Sequence, residues 1–226
     1  MNFILLSLIG ITVFISYKGF TDYYFSSQYE FNIGKIRSGE QIRMFTSGFL
    51  HGDWGHLFFN MFTLYMFGNI VINYLGSYIF LIIYFISLLS GSLLSIVYHK
   101  NNFNYRARGA SGAVVGIVYT AILLNPEMNL YLFFIPFPIS AYIFGIGYLL
   151  YSIYGMKVQN DNIGHEAHFG GALGGLITTI LIEPTILITS FKMIFILIIP
   201  IIILFFLTKM KKYNGIDFVI FKKIII

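Results

Sequence analysis

Residues 105–120 read YRARGASGAVVGIVYT, and their character changes within a few positions. Two arginines give way to Gly109, Ala110, Ser111 and Gly112, and an uncharged apolar run follows. A serine at the start of such a run has two interpretations. It is either a small residue that lets helices pack closely or a nucleophile at the mouth of a buried helix. The rest of the chain has to decide between them.

The composition places this chain in a lipid bilayer. Hydrophobic residues make up 58% of it and charged residues only 10%, and the mean hydropathy is +0.81. Too few polar side chains remain to cover a soluble globule. Several uncharged runs approach or exceed the roughly 20 residues that cross the hydrocarbon core. We therefore expect an all-α, polytopic membrane protein.

Hydropathy and helix breakers predict seven membrane spans. Their expected ranges are 3–18, 56–74, 77–98, 110–124, 138–155, 166–182 and 188–208. The first six form one predicted membrane domain, residues 1–184, and residues 185–226 form an additional helix with a basic tail. A long polar connection, from Gly19 to Gly55, contains Tyr, Phe and Ile residues. These favour a folded element docked at the membrane surface over a flexible linker.

Three polar clusters mark the starts of spans two, four and six. They read HGDWGHLFFN (51–60), GASG (109–112) and HEAHFGG (165–171). Antiparallel spans joined by short connections enter the membrane alternately from opposite faces, so these three starts share one face. Polar groups inside a membrane are costly and usually face the bundle interior or a wet cavity. We expect the three clusters to meet at one depth.

The clusters contain the groups that serine hydrolysis requires. Ser111 is the first polar side chain inside span four, and the imidazole of His168 can accept its proton as a general base. His56 and Asn60 are four residues apart, so on a helix they project from one face and can donate to an oxyanion. The first amide groups of span four can add backbone donors.

Helix packing is the competing interpretation of the same residues. Small residues recur at four-residue spacing in spans four and six, a pattern typical of close contact between membrane helices. They are Gly112, Gly116, Gly171 and Gly175. Alone, Ser111 would be interpreted as part of this packing pattern. Its occurrence together with the other polar groups favours a catalytic role for its hydroxyl. Both roles are compatible, because the glycines can bring the two spans close enough for Ser111 and His168 to touch.

The ordered set of motifs resembles the rhomboid intramembrane serine proteases. That family has His-xxx-Asn in its second helix, Gly-x-Ser-Gly at the start of its fourth and His-xx-Gly-xxx-Gly in its sixth. The matching residues are His56 and Asn60, Gly109 to Gly112, and His168, Gly171 and Gly175, within a similarity that covers about residues 3–184. The resemblance implies a rhomboid-like bundle of six helices with an additional C-terminal helix. It also implies Ser111 as nucleophile, His168 as base, and His56 with Asn60 as oxyanion donors.

Other positions extend the resemblance or depart from it. Glu40 and Arg43 resemble the family's interfacial loop element, although Ile42 stands where a tryptophan is usual. Val115 stands where the family typically has an aromatic residue that supports the histidine. None of these differences removes a reacting group.

The resemblance implies an intramembrane serine endopeptidase that cleaves transmembrane protein substrates in the lipid bilayer, with no cofactor, no metal and no nucleic acid. The sequence carries no signal for an oligomeric state. We expect a multi-pass protein of the bacterial inner membrane. Lysine and arginine lie mostly on the catalytic face, which by the positive-inside rule favours a cytoplasmic site. Resemblance to bacterial rhomboids implies an extracytoplasmic site, and we follow the resemblance.

Two other classes of function stay open. A non-catalytic rhomboid-like protein would bind membrane segments without cutting them, and intact Ser111 and His168 argue against it. A metal-dependent protein would use the histidines at the shared face, which are His51, His56, His165 and His168. The spacing in HEAH disfavours the metal, because the zinc-hydrolase signature has two residues between HE and the second histidine.

Overall fold

The computed structural model describes residues 2–131, 137–158, 163–200 and 202, which form a helical bundle. Its helices are α1 (Phe3–Thr21), α2 (Tyr23–Tyr29), α3 (Ile33–Arg37), α4 (Arg43–Thr46), α5 (Trp54–Leu75), α6 (Ser77–Tyr98), α7 (Ser111–Leu124), α8 (Ala141–Val158), α9 (His165–Ile182), α10 (Ile186–Thr189) and α11 (Phe191–Pro200). A 3-10 turn covers Ser47–Phe49. Two short antiparallel pairs join β1 (Phe31–Asn32) to β2 (Arg106–Ala107) and β3 (Asn129–Leu130) to β4 (Ile139–Ser140).

The predicted spans correspond closely to the long helices. Within the described residues α1, α5 and α6 are long and apolar enough to cross a membrane, and α7 and α11 are shorter apolar helices. Helix α8, which corresponds to the fifth predicted span, starts later than predicted, because Ile139–Ser140 pairs with Asn129–Leu130 as a strand. The seventh predicted span is helical from Phe191 to Pro200. The rest of that span, apart from Ile202, and the basic tail lie outside the described residues.

Helix α7 lies at the centre of the bundle. Every residue from Gly112 to Leu123 is buried, as expected for a helix that is apolar on all sides. Two hydrophobic clusters meet on it, one shared with α1, α5 and α6 and the other with α8, α9 and α11. Its 14 residues span about 21 Å, less than the roughly 30 Å of the hydrocarbon core. We therefore expect one end of α7 to lie inside the membrane.

Glycines bring α7 and α9 into backbone contact. A Cβ atom added to Gly112 would lie 3.1 Å from the carbonyl oxygen of Ala167, and one on Gly116 would lie 2.8 Å from that of Gly171. A Cβ atom on Gly175 would lie 2.7 Å from the Cα of Gly116. Side chains larger than hydrogen would force the helices apart. The predicted packing role of the small residues is confirmed.

The long connection between α1 and α5 is folded and docked, as predicted. It contains α2, α3 and α4, and its β1 strand pairs with β2 just before α7. Arg43 is buried within it and donates hydrogen bonds to the carbonyl oxygens of Ser27 (2.8 Å) and Glu30 (3.1 Å). Its Nε also donates to Glu40 at 2.6 Å. Arg43 therefore connects Ser27 at α2, Glu30 just after it and Glu40 before α4.

Candidate active site

One cavity of about 1040 Å³ lies among the starts of α5, α7 and α9. Its lining includes His56 and Asn60 from α5, Ser111 from α7 and His168 from α9. The prediction that the three polar clusters meet is therefore confirmed. Asp53, which is exposed, lines the same cavity. The cavity thus reaches the protein surface on the side of the loops, where water has access.

Ser111 is the first residue of α7, and a glycine shapes its approach. Gly109 has φ +147°, a conformation that L side chains rarely adopt. Its N–H donates to the carbonyl oxygen of Ser47 at 3.1 Å. A Cβ atom at Gly109 would lie 3.0 Å from His56 Nε2 and 3.7 Å from Ser111 Oγ. The absence of a side chain at Gly109 therefore leaves space for the side chains of His56 and Ser111 next to each other.

A buried histidine holds the residue that precedes the serine. His51 Nδ1 lies 2.9 Å from Ser16 Oγ, and that hydroxyl donates to the carbonyl oxygen of Phe49 at 2.9 Å. Because the hydroxyl hydrogen is used there, Nδ1 carries the imidazole hydrogen, and Nε2 accepts from the Ala110 N–H at 3.4 Å. Burial, with a smaller contribution from His56, lowers the pKa of His51 to about 3. The neutral ring therefore links α1 to the start of α7.

A buried carboxylate fixes the segment before Ser111 to the first loop. Glu30 Oε1 accepts from Arg106 at 2.9 Å, and its Oε2 pairs with Arg108 Nη2 at 2.7 Å. The arginine side chains are 52% and 25% exposed, while the carboxylate is 2% exposed. A buried carboxylate is stabilised only when it is paired. Sequence reasoning missed this contact, because Glu30 lies 76 and 78 residues before the two arginines.

His56 and Asn60 are presented by the first turns of α5. Asp53 accepts from the His56 N–H at 2.8 Å and so caps the helix. The Asn60 side chain donates one of its two N–H groups to the carbonyl oxygen of His56 at 3.1 Å. The rings of His51 and His56 have centroids 5.0 Å apart and meet edge to face. Both α5 side chains are therefore held at the cavity.

His168 lies where the backbones of α7 and α9 touch. The contacting residues are Gly112, which follows the serine, and Ala167, which precedes the histidine. The Tyr148 hydroxyl lies 2.8 Å from His168 Nδ1, and the two rings are stacked with 25° between their planes. Val115, which stands where the family typically has an aromatic residue, also lines the cavity. The aromatic ring that contacts His168 therefore comes from α8 and not from α7. Sequence reasoning missed Tyr148, because α8 carries several tyrosines and spacing distinguishes none of them.

The remaining polar residues of HEAHFGG face other partners. The His165 ring lies edge to face with Tyr151, at 5.0 Å between centroids. Glu166 is buried, accepts from the Tyr105 hydroxyl at 2.6 Å and pairs with His99 at 3.2 Å. Within the described ranges, metal-ligating side chains do not gather in groups of three or more. The geometry of the described residues therefore gives the metal alternative no support.

The fold and the cavity define a class, a multi-pass helical membrane protein with a serine and a histidine in one cavity within its helical bundle. The model of the Rhomboid domain matches residues 38–185. The chain therefore belongs to the rhomboid family.

Individual relatives agree with this assignment. RHOMBOID-like protein 12, mitochondrial, of Arabidopsis thaliana is 31% identical over 176 residues, which are 71% of this chain and 52% of the relative. Rhomboid protein 1, mitochondrial, of Saccharomyces cerevisiae is 30% identical over 145 residues, 61% of this chain and 40% of the relative. Rhomboid protease GluP of Bacillus subtilis is 34% identical over 140 residues, 62% of this chain and 26% of the relative. This chain spans about half or less of the length of these relatives.

Proposed function

We propose that this chain is an intramembrane serine endopeptidase that cleaves peptide bonds in or near transmembrane segments of other proteins. The observation that carries the proposal is that Ser111, His168, His56 and Asn60 line the same cavity. Membership of the rhomboid family, and similarity to a relative named as a rhomboid protease, support it.

The proposed reaction has two steps. His168 takes the proton from Ser111 Oγ, which attacks the carbonyl carbon of the substrate. The new oxyanion accepts hydrogen bonds from His56, Asn60 and the first amide groups of α7, which have no acceptor within the helix. Collapse of the intermediate releases an amine that takes the proton from His168. Water then attacks the acyl-enzyme and gives a proton to His168. The ester bond to Ser111 Oγ breaks, the carboxylic acid product leaves, and His168 returns the proton to Ser111 Oγ.

The substrate class follows from the depth of the site. A transmembrane helix hydrogen-bonds its own carbonyl groups, so it must unwind locally before a serine can reach one. We therefore propose substrates whose transmembrane segments are rich in Gly or Ala. The reacting groups are all amino-acid side chains or backbone amides, so the proposed chemistry uses no metal or cofactor.

The proposed catalytic domain is residues 1–184, with residues 185–226 as an addition to it. Met193 and Leu197 of α11 are buried in the same hydrophobic cluster as α8 and α9. We propose that the added helix stabilises this side of the bundle. Its removal should then lower stability more than it changes the chemistry.

The proposed location is a bacterial inner membrane, with the catalytic face outward. Similarity to a Bacillus subtilis protein supports a bacterial membrane, while other relatives are named as mitochondrial. The chain has no cysteine, so single cysteines at the exposed positions Asn102 and Asn129 can be probed in intact cells with an impermeant thiol reagent. Labelling at 102 and protection at 129 are expected. The opposite pattern would place the site in the cytoplasm.

The activity is tested with purified protein and a model transmembrane substrate. The wild type should cleave it, in the presence of a chelator as well, and Ser111→Ala should not. Cleavage by Ser111→Ala at the wild-type rate would contradict the proposed nucleophile. Strong inhibition by the chelator would favour a metal enzyme.

A further inference from the structure

Tyr148 makes two kinds of contact with the proposed base. Its hydroxyl lies 2.8 Å from His168 Nδ1. Its ring is stacked on the imidazole, with centroids 5.9 Å apart and 25° between the planes. One side chain therefore restricts both the rotation of the imidazole and the position of its hydrogen.

The hydrogen bond has a chemical consequence for the base. A neutral imidazole carries one hydrogen, and only the nitrogen without it can accept a proton. A phenol oxygen that accepts from Nδ1–H keeps the hydrogen on that nitrogen and leaves the lone pair on Nε2. In serine hydrolases the residue that orients the histidine has this same effect. We propose that Tyr148 is the positioning residue of His168, holding its ring by stacking and its tautomer by the Nδ1 contact.

The position of Tyr148 is itself fixed along α8. One turn before it, the carbonyl oxygen of Gly145 accepts a hydrogen bond of 2.5 Å from the Tyr119 hydroxyl of α7. Two turns after it, the ring of His165 occupies the space beside Gly155, where a Cβ atom would overlap it. The tyrosine thus lies between two contacts that hold α8 against α7 and α9. Orientation of the base therefore depends on how α8 is docked.

This inference rests on the proposed role of His168, and it makes a claim that packing alone does not. If Tyr148 only fills space, its replacement should lower thermal stability and leave the turnover number unchanged. If it positions the base, replacement should lower kcat with little change in KM, because the effect appears when the proton moves. The two roles also differ in whether the imidazole tautomer changes.

The experiment compares Tyr148→Phe and Tyr148→Leu with Tyr84→Phe. Tyr84 is fully buried in α6, does not line the cavity, and its hydroxyl has no hydrogen-bond partner among the described residues. It therefore controls for the loss of a buried hydroxyl. Cleavage of a model transmembrane substrate gives kcat and KM, and thermal unfolding reports stability. Tyr148→Phe keeps the aromatic ring and its packing, so we expect this variant to fold even if Tyr148→Leu does not.

We expect Tyr148→Phe to lower kcat about 10-fold, because it loses one buried hydrogen bond. Tyr148→Leu also loses the stacking, and kcat should fall about 100-fold, while KM stays within about twofold. Tyr84→Phe should keep kcat within about twofold of the wild type. Unchanged kcat in both Tyr148 variants would overturn the inference and leave the proposed protease intact.

A second readout does not depend on cleavage. NMR of nitrogen-labelled histidine reports which ring nitrogen is protonated, and the spectrum of His168→Gln assigns the His168 signals. In the wild type, neutral His168 should carry its hydrogen on Nδ1. In Tyr148→Phe the fraction of His168 in this Nδ1–H tautomer should fall. An Nε2–H tautomer in the wild type would overturn the inference. An inactive wild type with the expected tautomer would contradict the proposed function instead.

Discussion

Gly171 of α9 lies so close to α7 that a Cβ atom on it would stand 2.9 Å from the Cα of Gly112. A Cβ atom is bonded directly to its helix backbone and the Cα of Gly112 is part of one, so neither could move aside without moving its helix. Gly112 directly follows Ser111, and Gly171 lies one turn after His168. The close approach of these two glycines therefore sets the separation of the two proposed catalytic residues.

Gly171→Ala should separate α7 from α9 and reduce both stability and cleavage. Overpacking of this kind costs about 1–3 kcal/mol. Gly10→Ala is the matched control, because a Cβ atom on Gly10 of α1 meets nothing within 4 Å. The control should change stability by less than about 1 kcal/mol. Thermal unfolding and substrate cleavage measure both effects, and equal behaviour of the two variants would contradict this account of the packing.

Ser111→Ala and His168→Ala should each abolish cleavage, and the double variant should be hardly worse than either single one. Residues that act as one unit lose their function together, so their effects are not additive. The measurement is residual kcat/KM for the three proteins against the same substrate. Losses that multiply in the double variant would indicate two independent roles.

His56→Ala and Asn60→Ala test the oxyanion donors. Each should lower kcat by about 10²- to 10³-fold while the protein remains folded, by analogy with hydrolases that lost one donor. Thermal unfolding separates this result from a structural one. Substantial cleavage combined with a strongly lowered unfolding temperature would instead make the residue a structural contact.

The buried Glu30 should matter more to stability than its exposed partner. Glu30→Ala leaves Arg108, which is 25% exposed, without its carboxylate partner, and loss of this charged hydrogen bond should cost about 1.5–3 kcal/mol. Arg106→Ala removes an arginine that is more than half exposed, and the cost should stay below about 1 kcal/mol. Free energies of unfolding for the two variants check the ranking. Equal losses of unfolding free energy in the two variants would show that the Glu30 carboxylate does not stabilise this segment more than Arg106 does.

Stability should fall as the pH drops below about 6.5, in part because of His51. Its pKa is lowered to about 3 in the folded protein, whereas the unfolded chain binds the proton near its ordinary value of about 6.5. Between these values the unfolded state binds more protons, so stability decreases with falling pH, at most about 1.4 kcal/mol per pH unit from this residue. His51→Gln keeps an acceptor for Ala110 without titrating. Its unfolding temperature should depend less on pH, and parallel curves would contradict the assignment.

Much of the fold was predictable, because the bilayer imposes strong rules on sequence. Long uncharged runs located the helices, and the polar residues at the starts of α5, α7 and α9 stood out against them. Boundaries were less predictable where a contact decides them, as at Ile139–Ser140, which pairs with Asn129–Leu130. A strand of two residues has no periodicity that a sequence pattern can detect.

The sequence by itself determined that the chain is a helical membrane protein and which four residues meet at one face, because hydropathy and the parity of spans depend only on order along the chain. Only the tertiary structure assigned Tyr148 to His168, His51 to Ala110 and Glu30 to its two arginines. These partners come from different helices and loops. Their pairing depends on how far each helix is rotated and how deeply it is docked, and for α7 and α9 the close contacts between glycines set both.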